Sequence, residues 1–299
     1  MKKYQTIFFD WDGTAVVSRQ SPADEVLPPM IELLRRGVIL VVISGTTYNK
    51  IAQGRLHEHV PIDARQSLYL GLGRGAFNYG FDADGQRITL HQVVPDPALR
   101  VRIHEVAFAI HTYLLEKYGY DTDVVFTRPN YCKIDLLVSI DRGDKLYLTP
   151  GELELVNHNL AQHGYQGGVE ALIEDAVSIG EEMGLDVQAT TDAKFLEVGM
   201  TTKADNVDYL LEHVVFERGI QIENCCFWGD EFTALGPGVW GSDAQMITDR
   251  SRGANFFDVS EEPFGLPDEA EHVGGGVSTF VDFLETQVRL QKSTTGHRG

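Results

Sequence analysis

Basic residues are scarce in this chain: 25 lysines and arginines stand against 44 aspartates and glutamates, a formal net charge of −19 over 299 residues. Such a surface repels polyphosphate backbones and anionic headgroups, so neither nucleic acid nor membrane is an expected partner. Long hydrophobic runs are also missing. The longest, Val38 to Ile43, falls far short of the roughly 20 apolar residues that span a bilayer, and the start, MKKYQTIFFD, reaches an acid before a signal-peptide apolar stretch develops. A cytoplasmic location is the expectation. Cysteine is rare. Cys132, Cys225 and Cys226 are odd in number and none has a CxxC spacing, which excludes a disulfide scaffold and suits buried, reduced thiols. What remains, 43% hydrophobic and 23% charged, is an ordinary globular composition. At about 150 residues per domain, the length predicts two domains or one domain with a large insertion.

Tyr4 to Phe9 and Val38 to Ile43 are short apolar runs that read as buried parallel strands, joined by a helix that opens at Pro28-Pro29 and closes at Gly37. This is a βαβ unit. Ser67 to Gly80 is a third, glycine-broken apolar stretch, and Asp82-Ala83-Asp84-Gly85 reads as a hairpin turn. From Asp84 to Asp192 the pattern changes to helices at 97–118, 150–164 and 169–184 with strands at 124–140 and near Val187. The βα alternation then resumes, with a helix at 202–218, a strand at 225–228 and a closing helix near 277–290. The expected fold class is α/β: a Rossmann-like core with a parallel sheet at 1–83 and 193–299, plus an inserted α+β cap domain at 84–192 that sets substrate specificity. No internal repeat is visible, and the polar end KSTTGHRG is expected to fray.

Phe8-Phe9-Asp10-Trp11-Asp12-Gly13-Thr14 carries the most chemistry, because it delivers two carboxylates, two positions apart, to the end of a buried strand. Side chains at that spacing on extended backbone point the same way, and ligands of open α/β sheets bind at the C-terminal strand ends. Two acids held together there need a divalent cation or a shared proton. Other strand ends supply matching parts. Ser44-Gly45-Thr46 offers a hydroxyl and backbone N–H groups to an anion, though a helix cap would look the same. Lys203 opens a helix after Thr201-Thr202. Gly229-Asp230-Glu231 ends the Cys225 to Trp228 strand, and Ser242-Asp243 follows a glycine-rich loop, so the acids together form a hard-oxygen site suited to magnesium.

These four segments, in this order, resemble the haloacid dehalogenase-like (HAD) superfamily of aspartate-nucleophile phosphohydrolases: DWDGT matches the DxDGT signature, Ser44 the second motif, Lys203 the third, and Asp230 with its following acids the fourth. An insertion between the second and third motifs is similar to that of the class IIB, Cof-type members, as is Gly75-Ala76 after the third strand. The resemblance implies a Mg2+-dependent phosphatase of a small phosphorylated metabolite, a sugar phosphate being the expected kind. Asp10 would be the nucleophile and Asp12 the general acid and base, with Ser44, Gly45 and Lys203 binding phosphate. Asp10, Asp230 and the carbonyl of Asp12 would bind the metal, and Asp243 would orient metal-bound water. A phosphosugar mutase or phosphotransferase of the same fold, or a binding protein without turnover, are the alternatives. A monomer or homodimer fits either.

Two departures from the Cof-type pattern stand out. GDxxND followed by methionine is replaced by Asp230, the loop FTALGPGVWG, and then Ser242-Asp243-Ala244-Gln245-Met246. The DxxM register makes Asp243 the second acid, with Glu231 as its rival. The arginine that often follows the second motif's Ser/Thr-Gly is absent, and Thr46-Thr47 stand there.

Other features have plainer readings. Gly71-x-Gly73-x-Gly75 is followed by strand rather than helix, against a dinucleotide loop. His57-x-His59 lacks a third metal ligand and reads as solvated. On the strand where Cys132, Ile134, Leu136 and Val138 alternate as a buried face, Arg128 and Lys133 are the cap's candidates for touching substrate. The acids from Glu261 to Glu271 read as a solvated loop.

Overall fold

The computed structural model describes residues 2–18, 21–140, 151–236 and 239–293. In chain order its elements are β1 (Thr6–Phe9), α1 (Leu27–Arg35), β2 (Ile39–Ser44), the single turns α2 (Leu56–His59) and α3 (Ile62–Arg65), β3 (Leu68–Leu72), β4 (Phe77–Phe81) and β5 (Arg87–Gln92). Then come α4 (Pro97–Tyr118), β6 (Asp123–Val125), β7 (Tyr131–Asp135), α5 (Glu152–Gln162), α6 (Gly168–Glu182), β8 (Gln188–Thr191) and β9 (Phe195–Gly199). The chain continues through α7 (Lys203–Leu210), β10 (Cys225–Gly229), β11 (Ala234–Gly236), β12 (Val239–Trp240), β13 (Asn255–Asp258), β14 (Ala270–His272) and α8 (Gly276–Ser293).

Eight strands form the central sheet in the order β14-β13-β10-β1-β2-β3-β4-β5, parallel from β14 to β3 and antiparallel at β4 and β5. Strands covered on both faces must be apolar throughout, and TIFF, ILVVIS and CCFWG are wholly buried. Their alternation feeds two cores. Ile7, Phe9, Leu40 and Val42 pack toward α1 and α8, whereas Phe8, Val41, Ile43 and Phe227 pack toward α7. This is the α/β fold with a Rossmann-like parallel sheet expected from the sequence.

A second sheet, β6-β7-β9-β8, is antiparallel and shares its own hydrophobic cluster with α4, α5 and α6. Sheet membership corrects the expected junctions at 84 and 192. The 82–86 turn is a hairpin turn, with Asp82 Oδ1 accepting from the amides of Asp84 and Gln86, so β5 returns as the edge strand of the central sheet. At the other junction, β9 pairs with both β7 and β8 and so belongs to the second sheet. The inserted unit therefore runs from about residue 95 to 200.

Smaller expectations shift too. β7 ends at Asp135, and Val138, expected on its buried face, is 51% exposed. The helix expected at 202–218 is α-helical only to Leu210, then passes through a π-helical turn at 211–215 and a 3-10 turn at 216–218. Pro150 and the end from 294 lie outside the described residues. His57 is half-buried rather than solvated, stacked on Tyr48 and Phe81 with its Nδ1 2.6 Å from the Tyr48 hydroxyl. Among the described residues, no helix is long and apolar enough to cross a membrane.

Candidate active site

Asp10 follows β1, Ser44 ends β2 and Asp230 follows β10, so three adjacent parallel strands bring these residues to one edge of the sheet. Asp10 is held there by its own amide, which donates to the Trp228 carbonyl (2.9 Å). The chain then turns through Gly13 at φ +91. A Cβ at this position would collide with the Asp230 carboxylate, so the glycine of the DxDGT segment provides both the turn and the room. Thr14 Oγ1 donates to Asp230 Oδ1 (2.9 Å) and fixes that carboxylate.

Lys203 arrives from the opposite face at the first position of α7. Thr202 and Asp205 cap the helix: the Ala204 amide donates to Thr202 Oγ1 (3.2 Å) and the Thr202 amide to Asp205 Oδ2 (2.7 Å). The lysine Nζ donates to Asp10 Oδ1 (2.8 Å) and Asp243 Oδ1 (2.7 Å).

Asp243 is completely buried, and its other oxygen accepts from the amides of Asp230 (3.0 Å) and Glu231 (2.9 Å). The intervening loop reaches out as the β11–β12 hairpin and returns at Gly241, whose amide donates to the Thr233 carbonyl. Two glycines make that return possible. A Cβ on Gly229 would overlap the Asp243 carboxylate, and one on Gly241 would overlap the Glu231 carbonyl. The Glu231 carboxylate points elsewhere, accepting from Ser242 Oγ (2.7 Å).

One oxygen each from Asp10, Asp230 and Asp243 lies within 4.8 Å of the others. Burial pushes the Asp10 carboxyl well above the usual carboxylate range; Lys203 opposes this, and the charges of Asp243 and Asp12 reinforce it. Asp230 is pushed up by burial, then by Asp243, Glu231 and Asp10. For Lys203 burial acts downward, but Asp10, Asp243 and Glu231 outweigh it and keep the ammonium protonated. Crowded buried carboxylates of this kind are stabilised by a cation, and an all-oxygen donor set fits a hard divalent ion.

The cavity above this edge has a volume of about 80 Å3 and is lined by Asp10, Asp12, Ser44, Gly45, Lys203, Glu231 and Ser242 below, and by Arg128, Tyr131, Lys133, Asp192 and Glu197 of the inserted unit above. Both cap candidates, Arg128 and Lys133, are thus placed over the strand ends. Lys133 Nζ lies 2.6 Å from Glu197 Oε1 and 4.0 Å from Asp192 Oδ2. The Ser44 hydroxyl accepts from the Thr46 amide (3.2 Å). A larger cavity, about 710 Å3, lies beside the site, with Gly13, Asp230, Thr233 and Phe264 among its walls, and Glu231 borders both.

Sequence reasoning missed Arg74, Asp192 and Glu197. Arg74 sits between Gly73 (φ +68) and Gly75 (φ +88) with its own φ at +54, so Gly73-Arg74-Gly75 make the β3–β4 hairpin turn while Gly71 is still in β3. A cation set inside a run of glycines was the available signal, as was Glu197 within the apolar strand Phe195-Leu196-Glu197-Val198. The Arg74 side chain also lies against Gly45, whose Cβ would meet its Cγ at 3.5 Å. The aliphatic stem of Arg74 thus packs beside the Ser44-Gly45 segment.

No protein-family profile and no curated protein matches the chain. Solved structures do. An N-terminally truncated Plasmodium falciparum IMP-nucleotidase aligns over 96% of this chain and 71% of its own, with a TM-score of 0.56 at 14% identity. The same enzyme bound to IMP gives 0.57 at 11% identity over 96% and 68%. Sucrose-phosphatase from Synechocystis sp. PCC6803, in complex with sucrose and phosphate, gives 0.54 at 12% identity over 96% and 99%. The chain has the fold of these phosphatases, which is the fold expected from the HAD-like motifs.

Proposed function

We propose that this chain is a HAD-like, Mg2+-dependent phosphatase of a small phosphorylated metabolite, with Asp10 as nucleophile. The observation that carries the reading is the position of the Asp10 carboxylate: buried at the strand edge, held by Lys203, clustered with Asp230 and Asp243, and open to the cavity that Ser44 and Gly45 also line. The fold neighbours, named for action on a nucleotide and on a sugar phosphate, support the same chemistry.

A Mg2+ ion held by Asp10, Asp230 and the Asp12 carbonyl, with Asp243 completing the acid cluster, would offset the repulsion between Asp10 and the phosphate. Asp10 attacks phosphorus, and the bond to the ester oxygen breaks as Asp12 protonates that oxygen. In the second half, Asp12 takes a proton from water as the water oxygen attacks the aspartyl-phosphate, releasing phosphate and restoring Asp10. Ser44 and the backbone N–H groups beside Gly45 hold the phosphoryl oxygens, and the Lys203 ammonium balances charge at Asp10. The inserted unit closes the cavity and selects the organic part of the ester.

The test is phosphate release from a panel of phosphate esters with Mg2+, compared with the Asp10→Asn variant. Release by the wild type that disappears in the variant is the expected result. Release by both, or by neither, removes the assignment. Including a hydroxylic acceptor separates hydrolysis from transfer, since a transferase yields a new ester in place of free phosphate.

A further inference from the structure

The upper end of the cavity holds more hydrogen-bond donors than the protein itself uses. Arg74 is 4% exposed, and its backbone is pinned where the two units meet: the Arg74 carbonyl accepts from Asn130 Nδ2 (3.1 Å) and Thr201 Oγ1 (2.6 Å), one residue from each crossing segment. A non-glycine residue held at φ +54 by such contacts is a conformation maintained at a cost, and its effect here is to send the guanidinium upward into the inserted unit. There it forms an ion pair with Glu197, donates to Thr190 Oγ1, and lies over the Tyr131 ring at 5.3 Å. Among the described residues, its buried Nε–H has no hydrogen-bond partner. The buried Nε–H of Arg128, which lines the same cavity, has none either.

A buried N–H left unpaired is costly, more so on a charged group, so two such donors on residues that line one small cavity call for an acceptor. The charges do not oppose one. Arg74, Arg128 and Lys133 balance Asp192, Glu197 and the neighbouring Glu231, so this end is neutral on a chain whose net charge is −19. Lys203 is not part of that balance, because it is committed to Asp10 and Asp243 below.

Resting on the phosphatase reading, we propose that the substrate carries a second anionic group, a carboxylate or another phosphate, on the side away from the scissile ester, and that Arg74 and Arg128 bind it. A cavity of about 80 Å3, against the roughly 300–1,000 Å3 of sites for drug-sized ligands, favours a small organic part. The substrate class is then a small phosphorylated acid or bisphosphate.

Three esters on one three-carbon skeleton decide this: glycerol 3-phosphate, whose far end is neutral; 3-phosphoglycerate, with a carboxylate there; and glycerol 1,3-bisphosphate. With Mg2+, kcat/KM for at least one of the two charged esters exceeds that for glycerol 3-phosphate about tenfold or more, the worth of one charge-assisted contact. Whichever leads identifies the anion. Arg128→Gln and Arg74→Gln lower that ratio about tenfold. Arg128 is only half-buried, so its variant keeps the test alive if the Arg74 variant fails to fold. Equal kcat/KM for all three esters, or a ratio indifferent to Arg128→Gln, overturns the proposal. Should the wild type release no phosphate even from para-nitrophenyl phosphate, the phosphatase reading fails by itself. Calorimetric binding of 3-phosphoglycerate and glycerol 1,3-bisphosphate then tests the anion site alone: tighter binding than glycerol 3-phosphate, weakened by Arg128→Gln, supports it, and no such difference overturns it.

Discussion

The two ends of the cavity are built on different principles. At the strand edge the cluster around Asp10 is committed: Lys203 to Asp10 and Asp243, Asp243 to two backbone amides as well, and Asp230 to Thr14. At the end formed by the inserted unit, Glu197 binds Arg74 and Lys133, and the Nε–H groups of Arg74 and Arg128 have no hydrogen-bond partner among the described residues. A committed network fixes geometry and suits a reaction that must be the same for any ester. Unpaired donors suit recognition, because they become satisfied only when the right ligand arrives.

Substitutions at the lower end should therefore affect all esters, beginning with Asp10→Asn, which is expected to reduce phosphate release to background with an unchanged circular dichroism spectrum. Appreciable release by this variant would break the comparison at its root. Asp12→Asn should come next, with a leaving-group signature: an alkyl phosphate slowed far more than para-nitrophenyl phosphate, whose phenolate departs without a proton. Equal slowing of the two would remove the general-acid role.

The fourth segment separates its two acids by a smaller margin. Asp243→Asn should raise the Mg2+ concentration needed for half-maximal rate about 10–100-fold, the usual loss for a residue supporting a metal site, and should also lower the melting temperature by leaving Lys203 and two amides poorly paired. Glu231→Gln, whose carboxylate meets Ser242 instead, should shift the Mg2+ requirement little. A magnesium titration of both variants giving the reverse order would move the role to Glu231. The smallest effect belongs to Thr14→Val, which removes one hydrogen bond to Asp230; at about 1 kcal/mol this is a several-fold weakening of the metal, readable as a reduced Mg2+-induced rise in melting temperature. No change in that rise would show that Thr14 does not hold the carboxylate for the metal.

Much of the lower end was legible because its residues follow buried strands directly. An apolar run such as TIFF or CCFWG identifies itself as a central strand, and the residue after it falls at the sheet edge regardless of distant contacts, so Asp10, Ser44 and Asp230 could be located by position alone. Asp243 was a harder case. Its register with Met246 hinted at its place, but only the return of the β11–β12 hairpin through Gly241 shows how a residue 13 positions beyond Asp230 reaches that residue's amide. The junctions were misplaced for a related reason. The charge and glycine around Asp84 and Asp192 mark turns truthfully, yet a turn does not reveal whether the strand after it joins the old sheet or starts a new one.

The sequence by itself determined the α/β order of elements, the strand-end carboxylates and the existence of an insertion, because periodicity and strand-terminal position are local properties. Tertiary structure alone decided that β5 completes the central sheet and β9 the second one, and that Arg74, in a run of glycines far along the chain from Glu197, Thr190 and Tyr131, meets all three. The physical reason is that pairing and ion-pair partners depend on where separate segments meet in space, and no local pattern of charge or hydropathy encodes that meeting.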